Sequence, residues 1–259
     1  MLDDLKYTTK LGELLIPGQK YSVKIAESRD DIEQALKLRF DVFNIELGEG
    51  LSESYATQMD EDEYDVQCHH LVVVKNDTNE VIGTYRMQDN IMASAGNGFY
   101  TQSYFDIRSM PSTVLNNVVE LGRACIHRDH RSGRVLYMLW RGLARYLQLS
   151  KKRFLFGCCS LTSQNPAEGA AVYQYLKMNN YLHDEFSIPV NPQHECLAFS
   201  RDYTFEDEMN IPQLFRLYLD LGTRVCSKPA IDRAFKTIDY LILLDIDSLS
   251  AQSRSLFFR

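Results

Sequence analysis

Little in this 259-residue chain would anchor it in a membrane, a disulfide scaffold or a metal cluster. Apolar runs are short: Tyr240 to Leu244 stops at Asp245, far from the ~20 residues that a spanning helix needs. The six cysteines lack C-x-x-C spacing, and the adjacent Cys158 and Cys159 would point to opposite faces of a strand. They read as reduced, small apolar residues of a cytoplasmic protein. Six histidines are scattered without ligand spacing, which argues against zinc or any other metal. The opening M-L-D-D-L-K-Y-T-T-K has acids where a signal peptide needs a basic region, so secretion by that route is not expected. Positive charge is in deficit, 28 Lys and Arg against 35 Asp and Glu for a net charge of −7. A general nucleic-acid binder, whose affinity comes from cations on phosphates, is thereby disfavoured.

The average conceals a reversal. Between Arg123 and Arg153 lie nine Lys or Arg and one acid, Asp129. An acidic protein with one basic segment suggests a local anionic partner. Around it, strand and helix signals alternate. Ser22–Ala26 reads as a strand, and Ser28 followed by Asp31 as a helix start. Ile32, Ala35, Leu36, Phe40 and Phe43 then form an apolar stripe that also contains Arg39. Residues 46–65 are a long acidic connection of the kind that is usually functional or mobile. Strands are expected at 70–75, 81–87, 118–126 and 154–161, and helices at 135–149, 167–178 and 212–221, with Gly222 as the last helix's stop. The segment beyond is mixed. The expected architecture is α/β: an N-terminal segment at 1–20, then a single domain from 21 to 259 with a C-terminal extension from about 205.

The strongest local arrangement is strand, basic glycine-containing turn, helix: V-V-E-L-G-R-A-C-I-H-R-D-H-R-S-G-R-V-L. Such a turn aims backbone N–H groups and the positive end of a helix dipole at an anion, typically a phosphate. The stretch His130-Arg131-Ser132-Gly133-Arg134-Val135 resembles the Q/R-x-x-G-x-G/A turn of the GCN5-related (GNAT) N-acetyltransferases, departing at His130 and Val135. That departure counts against ordinary coenzyme A diphosphate binding. Asn165 and Tyr173 are similar to that superfamily's Asn and to its helix Tyr, which protonates the departing thiolate. L-R-F-D-V-F at 38–43, D-E-Y-D at 62–65, Arg86 in G-T-Y-R-M and E-L-G-R at 120–123 resemble acyl-homoserine-lactone synthases. The chain from about Tyr21 to Leu249 resembles still more closely the hemolysin-like N-acyltransferases, which include the ornithine-lipid and glycine-lipid enzymes. Their C-terminal signature is matched by P-Q-L-F-R-L-Y-L-D-L-G, P-A-I-D and F-K-T-I-D-Y-L-I-L-L.

The resemblance implies a GNAT-like fold, a mixed sheet flanked by helices. It also implies transfer of a long, 3-hydroxylated acyl group from acyl carrier protein, or from acyl-CoA, to the α-amine of ornithine or glycine, with no permanently bound cofactor. Glu120, a carboxylate in an otherwise apolar strand, needs a partner or a task, and is the candidate proton acceptor. Arg123 belongs with it, and Tyr173 is the candidate general acid. Arg39, Asp62, Asp65, Glu120 and Arg123 suggest a partly buried ion-pair network that orders the acidic loop. The resemblance assigns Arg39, Phe43, Asp62, Asp65, Arg86, Phe105 and Asn165 to substrate binding, and 130–135 to phosphopantetheine. Arg128, Arg141, Arg145, Lys151, Lys152 and Arg153 are candidates for the carrier's acidic surface. An amphiphilic product leaves contact with the inner membrane's cytoplasmic face open, through Leu256, Phe257, Phe258 and Arg259. Three other readings stand beside this one: an acetyl-CoA-dependent small-molecule acetyltransferase, an acyl-homoserine-lactone synthase using S-adenosylmethionine, and a non-catalytic carrier-protein-binding module.

Overall fold

The structure, a computed structural model, describes residues 14–131, 133–196 and 211–258. Its strands are β1 (Leu15–Ile16), β2 (Tyr21–Ile25), β3 (His69–Lys75), β4 (Glu80–Asp89), β5 (Val118–Ile126), β6 (Phe154–Leu161), β7 (Arg224–Val225), β8 (Ala230–Asp232) and β9 (Thr237–Asp245). They form one sheet in the order β1-β2-β3-β4-β5-β6-β9-β7, with β8 also on β9. Among these described strands only β5 and β6 pair with each other in parallel. The helices are α1 (Arg29–Phe40), which runs on into a π-helical turn at Asp41–Glu46, α2 (Ser54–Thr57), α3 (Asn90–Ala95), α4 (Ser112–Leu115), α5 (Gly133–Ser150), α6 (Pro166–Met178), α7 (Gln213–Asp220) and α8 (Ala251–Phe257).

Local chemistry accounts for several boundaries. The Ser28 hydroxyl accepts the Asp31 N–H at 3.1 Å, capping α1. Asn165 does the same for α6, accepting from Ala167 ahead of Pro166 at the first turn. Gly222 follows α7 at φ +93°, a conformation that favours glycine.

Strand alternation divides the sheet into two faces. On one, Tyr85, Val119, Leu121, Leu155 and Leu244 pack with Val135, Leu139 and Leu143 of α5. This face continues into Tyr240 and Ile242 beneath α6 and α7. On the other, Val72, Val74 and Cys125 lie under α1, and Phe156, Leu241 and Leu243 lie under the 99–115 segment. Each large aliphatic side chain so buried contributes about 1.5–3 kcal/mol.

Two expectations change. Strand β1 pairs with Val23 and Lys24, so the sheet begins ahead of residue 21. The mixed C-terminal stretch is the antiparallel partner of β6 along the whole of that strand, from Phe154–Asp245 to Leu161–Ile238. Being buried on both faces, β9 shows no alternation to betray it.

Candidate active site

Strands β5 and β6 pair only over Val118–Glu120 and Phe154–Phe156. Beyond that point β5 stays on β4 and β6 on β9, so the two diverge. Glycine permits the close approach where they part, since a Cβ on Gly157 would stand 2.2 Å from the Leu121 carbonyl oxygen. Between the pairs Thr84–Cys125 and Arg86–Gly122, one residue of β4, Tyr85, faces two of β5, Arg123 and Ala124, which places a bulge at Arg123 and Ala124. Arg123 has φ +50°, a left-handed conformation costly for a non-glycine residue. Asp60 and Asp62 hold its guanidinium at 3.1 and 3.0 Å, and the Phe235 ring stacks on it at 4.2 Å.

The divergence opens a cavity of about 460 Å³, within the range of small-molecule sites. It reaches both faces of the sheet. On the α5 side it is apolar, lined by Tyr85, Leu139, Leu155, Phe215, Tyr218 and Leu244; on the α1 side it meets Tyr100, Arg123, Ser160, Thr237, Asp239 and Glu49. At its mouth lie Ile126, Arg131 and Gly133, where α5 begins.

One wall is an ion-pair network. Arg39, fully buried, donates to Asp60 at 2.7 Å and to both oxygens of Asp65 at 2.7 and 3.1 Å. Arg86 reaches Asp62 at 2.5 Å and Asp65 at 3.1 Å. Three guanidiniums thus meet three carboxylates, and the charges cancel. Burial opposes ionisation of Asp65, but Arg39 and Arg86 outweigh it and hold its carboxyl well below the usual range. Burial likewise opposes ionisation of Asp60, and is overcome by Arg39 and Arg123. His70, against Asp65, is pushed down to about 4 by burial and is neutral at pH 7. Through Asp60, Asp62 and Asp65 the acidic connection is tied to α1, β4 and β5. Asp60 was missed because it stands in an acidic run without period; Glu120, expected in the network, is absent from it.

Glu120 instead accepts four hydrogen bonds: from Gln88 Nε2 at 2.6 Å, the Tyr100 N–H at 3.0 Å, and the Thr101 N–H and hydroxyl at 2.8 Å each. A carboxylate so engaged fixes the 99–102 turn and has little capacity left for a substrate proton. Its effect is to place Tyr100 over the cavity, where the Tyr100 hydroxyl donates to Asp232 at 2.9 Å.

At the α5 turn, Arg131 donates to both oxygens of Glu46 at 2.5 and 2.7 Å, and its Nε to the Ile126 carbonyl at 3.1 Å. Arg134 is exposed, and Gly133 opens on the cavity. His130 pairs with the Tyr21 hydroxyl at 3.1 Å. The Val135 side chain is fully buried in the core, so only its backbone can serve the turn. Ser132 lies outside the described residues.

Three other candidates lie off the cavity lining. Phe105 is buried among Phe99, Ile107 and Phe156 rather than on the cavity. Asn165 is an exposed helix cap. Tyr173 packs against the cluster of Val172, Leu176 and Phe215, away from the cavity lining. Phe43 does line the cavity, edge-on to Phe235 at 5.3 Å. The basic segment also divides: Lys152 is engaged by Asn90 and the Asn116 carbonyl, and Arg153 by Asp245 and Asp247. Of the proposed membrane residues, Phe257 packs on Trp140 at 5.2 Å and Phe258 against the core, leaving Leu256 exposed; Arg259 lies outside the described residues. Among the described residues no helix is long and apolar enough to cross a membrane.

Sequence reasoning also passed over the carboxyls at the polar end of the cavity. Asp232 accepts from Tyr100 and from the Phe235 N–H at 2.8 Å. Burial, and then Asp232, push the Asp239 carboxyl up to about 7, against the Ser160 and Thr237 hydroxyls and Arg123. Burial also raises Glu49, which the Thr162 hydroxyl contacts.

A mixed sheet that opens between two parallel strands beside a helix N-terminus defines a GNAT acyltransferase, and the family model described as "Acetyltransferase (GNAT) domain" matches residues 38–141. Within that class the chain belongs to the family of the L-ornithine N(alpha)-acyltransferases. It is 30% identical to the one from Brucella abortus (strain 2308) over 254 residues, covering 93% of this chain and 90% of that protein. It is 28% identical to the one from Rhodobacter capsulatus over 253 residues, covering 92% and 95%. Among solved structures, the CoA-dependent acyl-homoserine lactone synthase BjaI with SAM and isopentyl-CoA is similar in fold, with a TM-score of 0.50 at 12% identity over 88% of this chain and 80% of that one.

Proposed function

We propose that the protein transfers a long-chain acyl group from the thioester of acyl carrier protein to the α-amine of an amino acid, ornithine before glycine, giving an N-acyl amino acid for lipid synthesis. The observation that carries this reading is the cavity itself, which joins an apolar compartment to a carboxylate-bearing one through the gap between β5 and β6. A fatty thioester and a cationic amine need those two environments, held at near-attack distance. In this proposal Gly133, Arg131 and Arg134 receive the phosphate of the donor's prosthetic arm at the α5 N-terminus. The arm runs along residues 121–126, where the Arg123 bulge turns backbone out of the ladder toward the developing oxyanion. The acyl chain occupies the apolar side, and the amine approaches past Tyr100 and Arg123.

Direct transfer suits the cysteines on the cavity. Burial raises the thiols of Cys158 and Cys159 well above their ordinary range, so neither is a ready thiolate nucleophile. The apolar side chains that line one side of the cavity, Leu139, Leu155, Phe215 and Leu244 among them, suit a long acyl chain, which favours a long-chain donor over acetyl-CoA. Exposed Arg128, Arg145 and Lys151, with half-buried Arg141, form the surface proposed to meet an acidic carrier. Thiol release measured with matched acyl-carrier-protein and acyl-CoA donors tests the donor. At least tenfold higher kcat/KM with the carrier is expected; equal values with CoA, or turnover of acetyl-CoA alone, refute it.

A further inference from the structure

We infer that Asp239 is the catalytic residue that takes the proton from the acceptor's ammonium group, with Asp232 as its positioning and tuning neighbour. The inference rests on the amino-acid N-acyltransferase reading and names the base that the reaction requires.

Three observations converge on it. Asp239 stands on β9 opposite Ser160 of β6, beyond the point where β5 has left β6, and its side chain lines the cavity. It is 2% exposed, and its Oδ1 has no hydrogen-bond partner among the described residues. The hydroxyl of Thr237, two residues earlier on the same strand face, also lines the cavity beside it. Buried polar atoms are ordinarily satisfied, so an orphan carboxylate oxygen beside a hydroxyl on one wall marks where a polar ligand group completes the site. An ammonium suits them both, donating one hydrogen bond to the carboxylate and another to the hydroxyl.

The surroundings suit proton transfer. Facing Asp239 are Asp232 from β8, Arg123 from β5, Cys158 and Ser160 from β6, and Tyr100 from the 99–102 turn. The anionic neighbour outweighs the cation, and the carboxyl titrates near neutrality, where a base is effective without holding its proton permanently. Asp232 is already committed to Tyr100 and Phe235, and Glu120 to four donors. In the step, an ammonium N–H bond breaks and its proton passes to the Asp239 carboxylate. The freed nitrogen pair forms the C–N bond at the thioester carbon. The C–S bond breaks, and the thiolate takes the second nitrogen-bound proton as the amide forms. Asp239 then releases its proton to solvent.

The test is product formation from acyl carrier protein and ornithine between pH 5.5 and 9, read by mass spectrometry, for wild type, Asp239→Asn, Asp232→Asn and Glu49→Gln, each first shown to be folded by near-UV circular dichroism. Only ionised Asp239 accepts a proton, so wild-type kcat/KM falls as pH drops through about 7. Asp239→Asn is expected to lose ~10²–10⁴-fold in kcat and to lack that limb. Asp232→Asn keeps the limb but moves it to lower pH. Retention of the limb and of kcat within threefold in Asp239→Asn, or loss of the limb in Glu49→Gln alone, overturns the assignment. Infrared titration of the substrate-free protein supplies a readout without turnover: a protonated-carboxyl band absent from Asp239→Asn should disappear near pH 7, and disappearance in the ordinary carboxylate range refutes the inference. No product from wild type with any amino acid would instead sink the reading of function beneath it.

Discussion

Removing one carboxylate from the Arg39–Asp65 network tests whether the acidic connection is held by charge. In Asp65→Asn the side chain keeps its size, but three buried guanidiniums face only two carboxylates. Arg39 loses its bidentate partner, at 2.7 and 3.1 Å, and Arg86 loses a contact at 3.1 Å. Breaking a buried pair on one side costs about 3–5 kcal/mol, because an uncompensated charge stays in low dielectric. Against a total stability of about 5–15 kcal/mol this is a large fraction. At roughly 2–4 °C per kcal/mol for a chain of this size, the melting temperature should fall by about 10 °C. Thermal unfolding followed by circular dichroism at pH 7, with urea midpoints as a second measure, provides the assay. Because Asp65 and Asp60 have depressed pKa values in the folded state, the stability they contribute is present above the ordinary carboxylate pKa and fades as pH falls below it. The gap between wild type and variant should therefore narrow below pH 4. A loss under 1 kcal/mol, or a gap independent of pH, would refute an electrostatic role for the network.

Asp239→Asn should change stability in the opposite sense. With its folded pKa raised from 3.8 to about 7, the wild-type carboxyl destabilises the fold progressively as pH rises through that window, by up to roughly 4 kcal/mol; the variant should melt higher than wild type at pH 8 and equally at pH 4. Gly157→Ala brings a Cβ to 2.2 Å from the Leu121 carbonyl, and an overpacking loss of about 1–3 kcal/mol is expected in urea unfolding; an unchanged midpoint would show that the two strands do not need their close approach. Glu120→Ala leaves the Tyr100 and Thr101 N–H groups and Gln88 without their acceptor, so it should cost about 1–3 kcal/mol or more in the same assay. Charge reversal at Arg141 and Arg145 should raise KM for acyl carrier protein at low salt and flatten its salt dependence; an unchanged KM places carrier docking elsewhere.

Much of the fold was legible because its elements carry local signals. Strands β5 and β6 have the bounds read from the sequence, and Ser28 caps α1 as its spacing suggested. Strand β9 was not legible, since T-I-D-Y-L-I-L-L-D is buried on both faces and offers no period to read. In the site, Arg39 announced itself as a charge within an apolar stripe. Its partner Asp60 did not, because nothing along the chain separates it from the neighbouring acids Glu61 and Glu63. The reasoning that singled out Glu120, a carboxylate in an apolar strand, applies equally to Asp239 and would have found it once β9 was recognised. Tyr173 and Asn165 were chosen by position in a pattern, and both lie off the cavity lining.

The most direct measurement uses ornithine labelled with ¹⁵N at its α-amine, incubated with a 3-hydroxyacyl carrier protein and the wild-type enzyme, with the lipid extract fragmented by tandem mass spectrometry. An amide that retains the ¹⁵N label is expected. An unlabelled amide at the δ-nitrogen, or no N-acyl product with ornithine, glycine or any other amino acid, would contradict α-amine acylation as the reaction of this site.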